Sequence, residues 1–137
     1  MDSKKILVVD DEKPIRELLR HKLSIRGFEV ETAKNGKEFS ENALAHKPDL
    51  IILDIWLRNK MGTDIYYHLL QEGFDPAIPV IFITALVEGY PKEAPRVSGR
   101  KCALYSKPFD FEKLVEEIHC LLHHETGENS EQEGIHG

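Results

Sequence analysis

The chain has nothing close to the roughly 18 consecutive apolar residues that cross a bilayer. Its N-terminus runs almost directly into a short apolar segment, without the longer apolar stretch of a signal peptide. Cysteine is scarce: Cys102 and Cys120 form no CxxC pair, which points to a reduced, cytoplasmic protein. Lysine and arginine, 18 together, are outnumbered by 24 aspartates and glutamates, for a net charge of −6. Without a basic face, direct nucleic-acid binding is not expected, nor is attachment to anionic membranes. There is no ATP-binding glycine loop, no internal repeat and no second domain in the pattern. At 137 residues the length suits one domain with a single substantial core.

What is present is organised around Asp49-Leu50-Ile51-Ile52-Leu53-Asp54. Four consecutive aliphatics read as a strand buried on both faces, as in a parallel sheet covered by helices. The run stops at a carboxylate. In open α/β sheets the C-terminal ends of the strands are where ligands bind, so Asp54 stands in a functional place.

The other segments fall into step with it. Lys5 to Val9 is a second apolar run, ending at Asp10-Asp11-Glu12. Pro14 suits a first helical turn; Ile15, Leu18, Leu19 and Leu23 follow on the expected inner face, and Gly27 ends the helix. Phe28 to Thr32 reads as a short strand. Asn35-Gly36 is a turn, and a helix with Phe39, Ala43 and Leu44 inward runs to about His46, before Pro48. After Asp54 a loop from Trp56 to Met61 leads through Gly62 to a helix over 63–71, with Ile65, Leu69 and Tyr66 inward. Pro79 opens a fourth strand, Val80 to Ile83, ending at Thr84. Ala103 to Tyr105 forms a fifth, followed by Ser106-Lys107-Pro108-Phe109. Asp110 caps a last helix striped by Phe111, Leu114, Val115, Ile118, Leu121 and Leu122. Five alternations of strand and helix imply a parallel sheet with helices on both faces. Residues 125–137, with four glutamates and no lysine or arginine, read as an acidic disordered tail after a domain over 1–124.

In a parallel sheet the strand ends point one way, so Asp10, Asp11, Asp54, Thr84 and Lys107 should meet at one edge. Each has an ordinary use as well: a strand-end aspartate can cap the next helix, a threonine can satisfy its hydroxyl locally, a lysine can be solvated. Together, four strand ends carry complementary groups. Clustered carboxylates repel unless a cation intervenes. Oxygen-only ligands suit Mg²⁺. A lysine and a hydroxyl beside it complete a phosphoryl site in which a carboxylate is the nucleophile.

Val8-Val9-Asp10-Asp11-Glu12, Asp54, Thr84-Ala85 and Lys107-Pro108-Phe109, in this order and spacing, resemble the signature of the receiver domain of two-component response regulators. The resemblance covers about Lys4 to His123. It implies a flavodoxin-like, doubly wound five-stranded sheet of order 2-1-3-4-5. It further implies a switch in which Asp54 takes a phosphoryl group, with Mg²⁺, from a phosphohistidine on a sensor histidine kinase or histidine phosphotransfer protein. Carried over by position, Asp11 and Asp54 would bind the metal directly, Asp10 mainly through water, and the Trp56 backbone carbonyl would be a further ligand. Thr84 and Lys107 would each engage a phosphoryl oxygen, and the Lys107–Pro108 peptide would be cis. Phosphorylation would shift the face built from the fourth helix, fifth strand and fifth helix toward an unknown downstream protein. A stand-alone regulatory module, monomeric or weakly dimeric, is expected.

The chain departs from the family pattern in three places. Leu104 stands where the family places its switch aromatic, and Tyr105 next door should face the opposite side of the sheet. Pro91, Pro95 and Gly99 should leave the fourth helix, between Val87 and Lys101, short or unwound. The loop after Asp54 lacks the family's common proline, and Trp56 is large enough to overhang the site. Two other readings stand beside the switch. A receiver-fold adaptor independent of phosphate would find support in Leu104 and the broken helix. An aspartyl-phosphate hydrolase of the haloacid dehalogenase type would need an aspartate where Trp56 stands. His119 and His123, four apart on the last helix, and likewise Cys120 and His124, read as a mixed surface rather than a transition-metal site.

Overall fold

The computed structural model describes residues 3–58, 60–85, 96–97, 100–101 and 103–123. The strands and helices alternate as β1 (Lys5–Val9), α1 (Lys13–Ile25), β2 (Glu29–Ala33), α2 (Gly36–His46), β3 (Leu50–Asp54), a hairpin of β4 (Trp56–Leu57) and β5 (Lys60–Met61), then α3 (Gly62–Gln71), β6 (Val80–Ala85), a second hairpin of β7 (Arg96–Val97) and β8 (Arg100–Lys101), then β9 (Ala103–Lys107) and α4 (Phe111–Leu122). The main sheet is parallel and ordered β2-β1-β3-β6-β9. That is the 2-1-3-4-5 order of the flavodoxin-like fold. β3 occupies the centre, and all five of its residues are buried.

Alternation along the strands builds two cores. Leu7, Val9, Ile51, Leu53 and Phe82 face α2 and α3, where Phe39, Ala43, Tyr66 and Leu69 meet them. Ile6, Val8, Leu50, Ile52, Ile81 and Ile83 face α1 and α4, against Leu19, Leu23, Leu114, Val115 and Ile118. Leu104 packs with the first core and Tyr105 with the second, as the alternation of side chains requires. The Tyr105 hydroxyl lies 3.3 Å from Glu117 Oε1 and 3.4 Å from the Lys113 carbonyl of α4. Burial and the Glu117 carboxylate push its pKa up to about 12.

Two inward assignments fail. Leu18 is 45 % exposed and Leu44 is 54 % exposed. A helix turns 100° per residue, and the inner stripes run through Leu19 and Leu23 on α1 and through Phe39 and Ala43 on α2. Leu18 and Leu44 each lie one residue off those stripes. The segment from Trp56 to Met61, expected as a loop, closes as a hairpin with Trp56 opposite Met61 and Leu57 opposite Lys60. Of the expected fourth-helix segment, 96–97 and 100–101 pair as a two-residue antiparallel ladder; the rest of it, and the acidic tail, lie outside the described residues. Among the described residues no helix is long and apolar enough to cross a membrane.

Candidate functional site

Four of the five strands, β1, β3, β6 and β9, deliver polar groups to the C-terminal edge of the sheet. Asp10 follows β1 directly and is fully buried. Its N–H donates to the Ala33 carbonyl at 3.1 Å, and its Oδ1 accepts the Glu12 N–H at 2.8 Å. Asp11, half-buried, and Glu12, exposed, follow in the turn into α1. Asp54 closes β3 and is 3 % exposed; its Oδ1 accepts the Trp56 N–H at 3.0 Å. The backbone beside it leaves no room for a side chain: a Cβ on Gly62 would lie 2.2 Å from the Asp54 carbonyl oxygen. The Gly62 N–H is tied to the Ile55 carbonyl at 2.6 Å, so the hairpin between them is pinned at its base.

Lys107, the last residue of β9, reaches across the edge. Its Nζ lies 2.9 Å from Asp10 Oδ2, 2.8 Å from Glu12 Oε2 and 3.1 Å from Asp54 Oδ2. The ammonium donates hydrogen bonds to Glu12 and Asp54, whereas buried Asp10 Oδ2 meets it as an ion pair and is left without a hydrogen bond. The Lys107–Pro108 peptide that follows is cis. Thr84 is buried at the end of β6, but its hydroxyl donates to the Ala85 carbonyl at 3.2 Å rather than to Asp54.

The cluster carries more negative charge than Lys107 balances. One oxygen from each of Asp10, Asp11, Glu12 and Asp54 lies within 4.8 Å of the others. At an effective dielectric constant of about 20, a pair of unit charges at that separation repels by roughly 3 kcal/mol. Burial, and then the Asp10 charge, raise the Asp54 pKa to about 6, against the opposing pull of Lys107 and the Trp56 N–H. Burial likewise raises Asp10, opposed by the Glu12 N–H and by Lys107. For Lys107 burial acts downward, but the Glu12 and Asp10 carboxylates beside it outweigh burial and the pKa is raised. Among the described residues this is the one group of three or more side chains spaced to hold a metal ion. Its donors are all oxygens, which fits a hard divalent cation such as Mg²⁺.

Asp10, Asp11, Asp54 and Lys107 are therefore brought together as the strand order implies. Thr84 is adjacent and Trp56 is tied to Asp54 through its N–H. Glu12 is the member that strand-end reasoning did not single out. It lies in the first turn after β1, and its partner is 95 residues away. The run of three acids at 10–12 was the only sequence signal.

The sequence matches the family described as the response regulator receiver domain over residues 6–119. Among curated relatives, response regulator MprA of Mycolicibacterium vanbaalenii is 33% identical over 122 residues, covering 89% of this chain and 52% of that one. MprA of Mycobacterium ulcerans is 33% identical over 129 residues, covering 94% of this chain and 54% of its own. The chain thus spans about half the length of the curated relatives it matches. Among solved structures, the response regulator TrrA of Thermotoga maritima in complex with Mg²⁺ and BeF superposes with a TM-score of 0.71. It is 32% identical and covers 86% of this chain and 98% of that one. The chemotaxis protein CheY4 of Vibrio cholerae superposes with a TM-score of 0.74 at 25% identity, covering 88% and 99%. The fold, the order of the site groups and these matches lead to one conclusion: the chain belongs to the receiver domain family of two-component response regulators.

Proposed function

We propose that Asp54 is the phosphoacceptor of a two-component phosphorelay. The observation that carries this reading is the Lys107 ammonium, held 3.1 Å from Asp54 Oδ2 over a buried carboxylate at the sheet edge. An Asp54 carboxylate oxygen attacks the phosphorus of a phosphohistidine on a sensor histidine kinase or histidine phosphotransfer protein. A P–O bond forms, the P–N bond breaks, and its electron pair stays on the imidazole nitrogen. The product is an acyl phosphate. Lys107 donates to one phosphoryl oxygen. The Thr84 hydroxyl turns from the Ala85 carbonyl to another. Asp11 and Asp54 would hold Mg²⁺ directly, Asp10 through water, with the Trp56 carbonyl as a further ligand. When bound, the ion offsets the charge that gathers on the transferred group.

An acyl phosphate adds charge and acceptor oxygens at the edge. Movement of Thr84 at the end of β6, and of Lys107 at the end of β9, carries the change to the face formed by β9 and α4. A partner protein reads that face. TrrA, crystallised with Mg²⁺ and BeF, supports the metal assignment by analogy.

The test is the intact mass of the protein with Mg²⁺ and acetyl phosphate, beside Asp54→Ala. The expected result is a gain of one phosphoryl mass, absent in the variant and abolished by EDTA. No gain with acetyl phosphate or with a phosphorylated histidine kinase would leave the adaptor reading in its place.

A further inference from the structure

Glu12 occupies the N-cap of α1. Serine, threonine, aspartate or asparagine there turns its side chain onto the free N–H groups of the first helical turn; glutamate is not one of the favoured caps. Glu12 makes no such bond. Its backbone N–H donates to Asp10, and its carboxylate leaves the helix end and reaches Lys107 at 2.8 Å, the shortest of the three contacts that ammonium makes. The first turn of α1 holds no acidic residue to take over the capping role. The side chain at the cap position is thus engaged with the lysine and not with the helix end.

The three contacts are not equivalent. Asp54 Oδ2 is an acceptor that phosphorylation alters, either by esterifying it or by placing phosphoryl oxygens beside it. Asp10 and Glu12 are partners that phosphorylation leaves in place. Lysine has a flexible four-carbon stem with rotatable donors, so it must be held from elsewhere for the donor on Asp54 to be aimed. Asp10 attracts it from the floor of the site as an ion pair without a hydrogen bond, and Glu12 accepts its hydrogen bond from the solvent side.

We propose that Glu12 is a positioning residue for phosphoryl acceptance: it holds the Lys107 ammonium at the sheet edge so that the donor now on Asp54 passes to a phosphoryl oxygen. This rests on the reading of Asp54 as phosphoacceptor. The competing description is an exposed surface ion pair, which contributes little.

Two variants separate them. Glu12→Gln removes the charge. Glu12→Asp keeps the charge and improves the N-cap, but is one methylene too short for the same contact. The rate of phosphoryl gain from acetyl phosphate with Mg²⁺ is read by intact mass. The ¹H–¹⁵N correlation of the Lys107 ammonium, visible while its protons are held in hydrogen bonds and assigned with Lys107→Arg, is read on the unphosphorylated protein. The expected result is a loss of rate of about tenfold in both variants, the scale of one charge-assisted hydrogen bond. The ammonium signal should be lost in both, and Glu12→Asp should be no less stable than wild type. Wild-type rates with the ammonium signal retained would overturn the proposal alone. A wild type that gains no phosphoryl mass would overturn it together with the reading it rests on.

Discussion

At the scale of single residues, Asp54 carries a burden that should be measurable without any ligand. Its carboxyl titrates near 6 in the folded chain, against an ordinary value of 3.8. A folded pKa above the unfolded one means that the native state holds the proton more tightly between those values. Asp54 then contributes stability that is full below about pH 4 and is lost as pH rises through about 6. At about 1.4 kcal/mol per pH unit the loss is roughly 3 kcal/mol. Asp54→Asn should therefore stabilise the metal-free protein by about 2–3 kcal/mol at pH 7.5, and far less at pH 4.5, in urea unfolding. Equal effects at the two pH values would contradict the assigned shift. Gly62 makes a second case. A methyl group there would meet the Asp54 carbonyl at 2.2 Å, and backbone cannot yield as a flexible side chain can. Gly62→Ala should cost about 1–3 kcal/mol and slow phosphoryl acceptance, whereas Gly73→Ala, where no atom crowds the added Cβ, bears only the strain of its positive φ and should leave that rate unchanged.

The strand-end residues were legible because a parallel sheet sends every C-terminal end to one edge, so order alone placed Asp10, Asp54, Thr84 and Lys107. Glu12 was not, because its contact depends on where a turn aims a long side chain. The hydroxyl of Thr84 was open to either of two partners until the geometry fixed it on Ala85.

At the scale of elements, periodicity placed the helices and misjudged part of their faces. Leu18 and Leu44 are as apolar as their neighbours, but only one 100° stripe can face the sheet. Counting apolar residues does not choose between adjacent ones. The last helix was read more fully, since Leu114, Val115, Ile118 and Leu122 form one unbroken stripe. Caps were legible for a local reason: Asp110 accepts the Glu112 and Lys113 N–H groups. At α2, Asn35 accepts the Glu38 N–H at 2.9 Å while Glu38 reaches back to the Lys34 N–H at 3.0 Å. Asn35→Ala should destabilise the chain by about 1 kcal/mol without changing the rate at which Asp54 reacts; a change in that rate would show that α2 is tied to the site. The β4–β5 hairpin escaped the sequence reading because two residues per strand give no alternation to detect. Arg58 at its tip has φ +60°, a backbone conformation that side chains other than glycine and asparagine seldom adopt.

At the scale of the whole molecule, the site exists only because the fold is complete. Asp10, Asp54 and Lys107 come from three strands, and Lys107 is 53 residues from Asp54. An ion that binds this assembled edge and not the unfolded chain must stabilise the fold, by about 2.7 kcal/mol at a hundred times its Kd. Mg²⁺ should accordingly raise the urea midpoint of the wild type. It should raise that of Asp11→Asn far less, and it should change the fluorescence of Trp56, the only tryptophan. No shift with Mg²⁺ would remove the metal from the site. The relatives are about twice as long over their full chains, so the charge balance here speaks only for the receiver and not for what those longer chains bind.

The role of Asp54 is tested most directly by trapping its product. An acyl phosphate is reduced by borohydride to an alcohol, which converts the phosphorylated aspartate to homoserine at the position that carried the phosphoryl group. After treatment with Mg²⁺ and a phosphodonor, peptide mass mapping should find homoserine at position 54 and at no other carboxylate, and none when Mg²⁺ is withheld. Homoserine at another position, or its absence from a sample that has gained phosphoryl mass, would contradict the assignment of Asp54 as the acceptor.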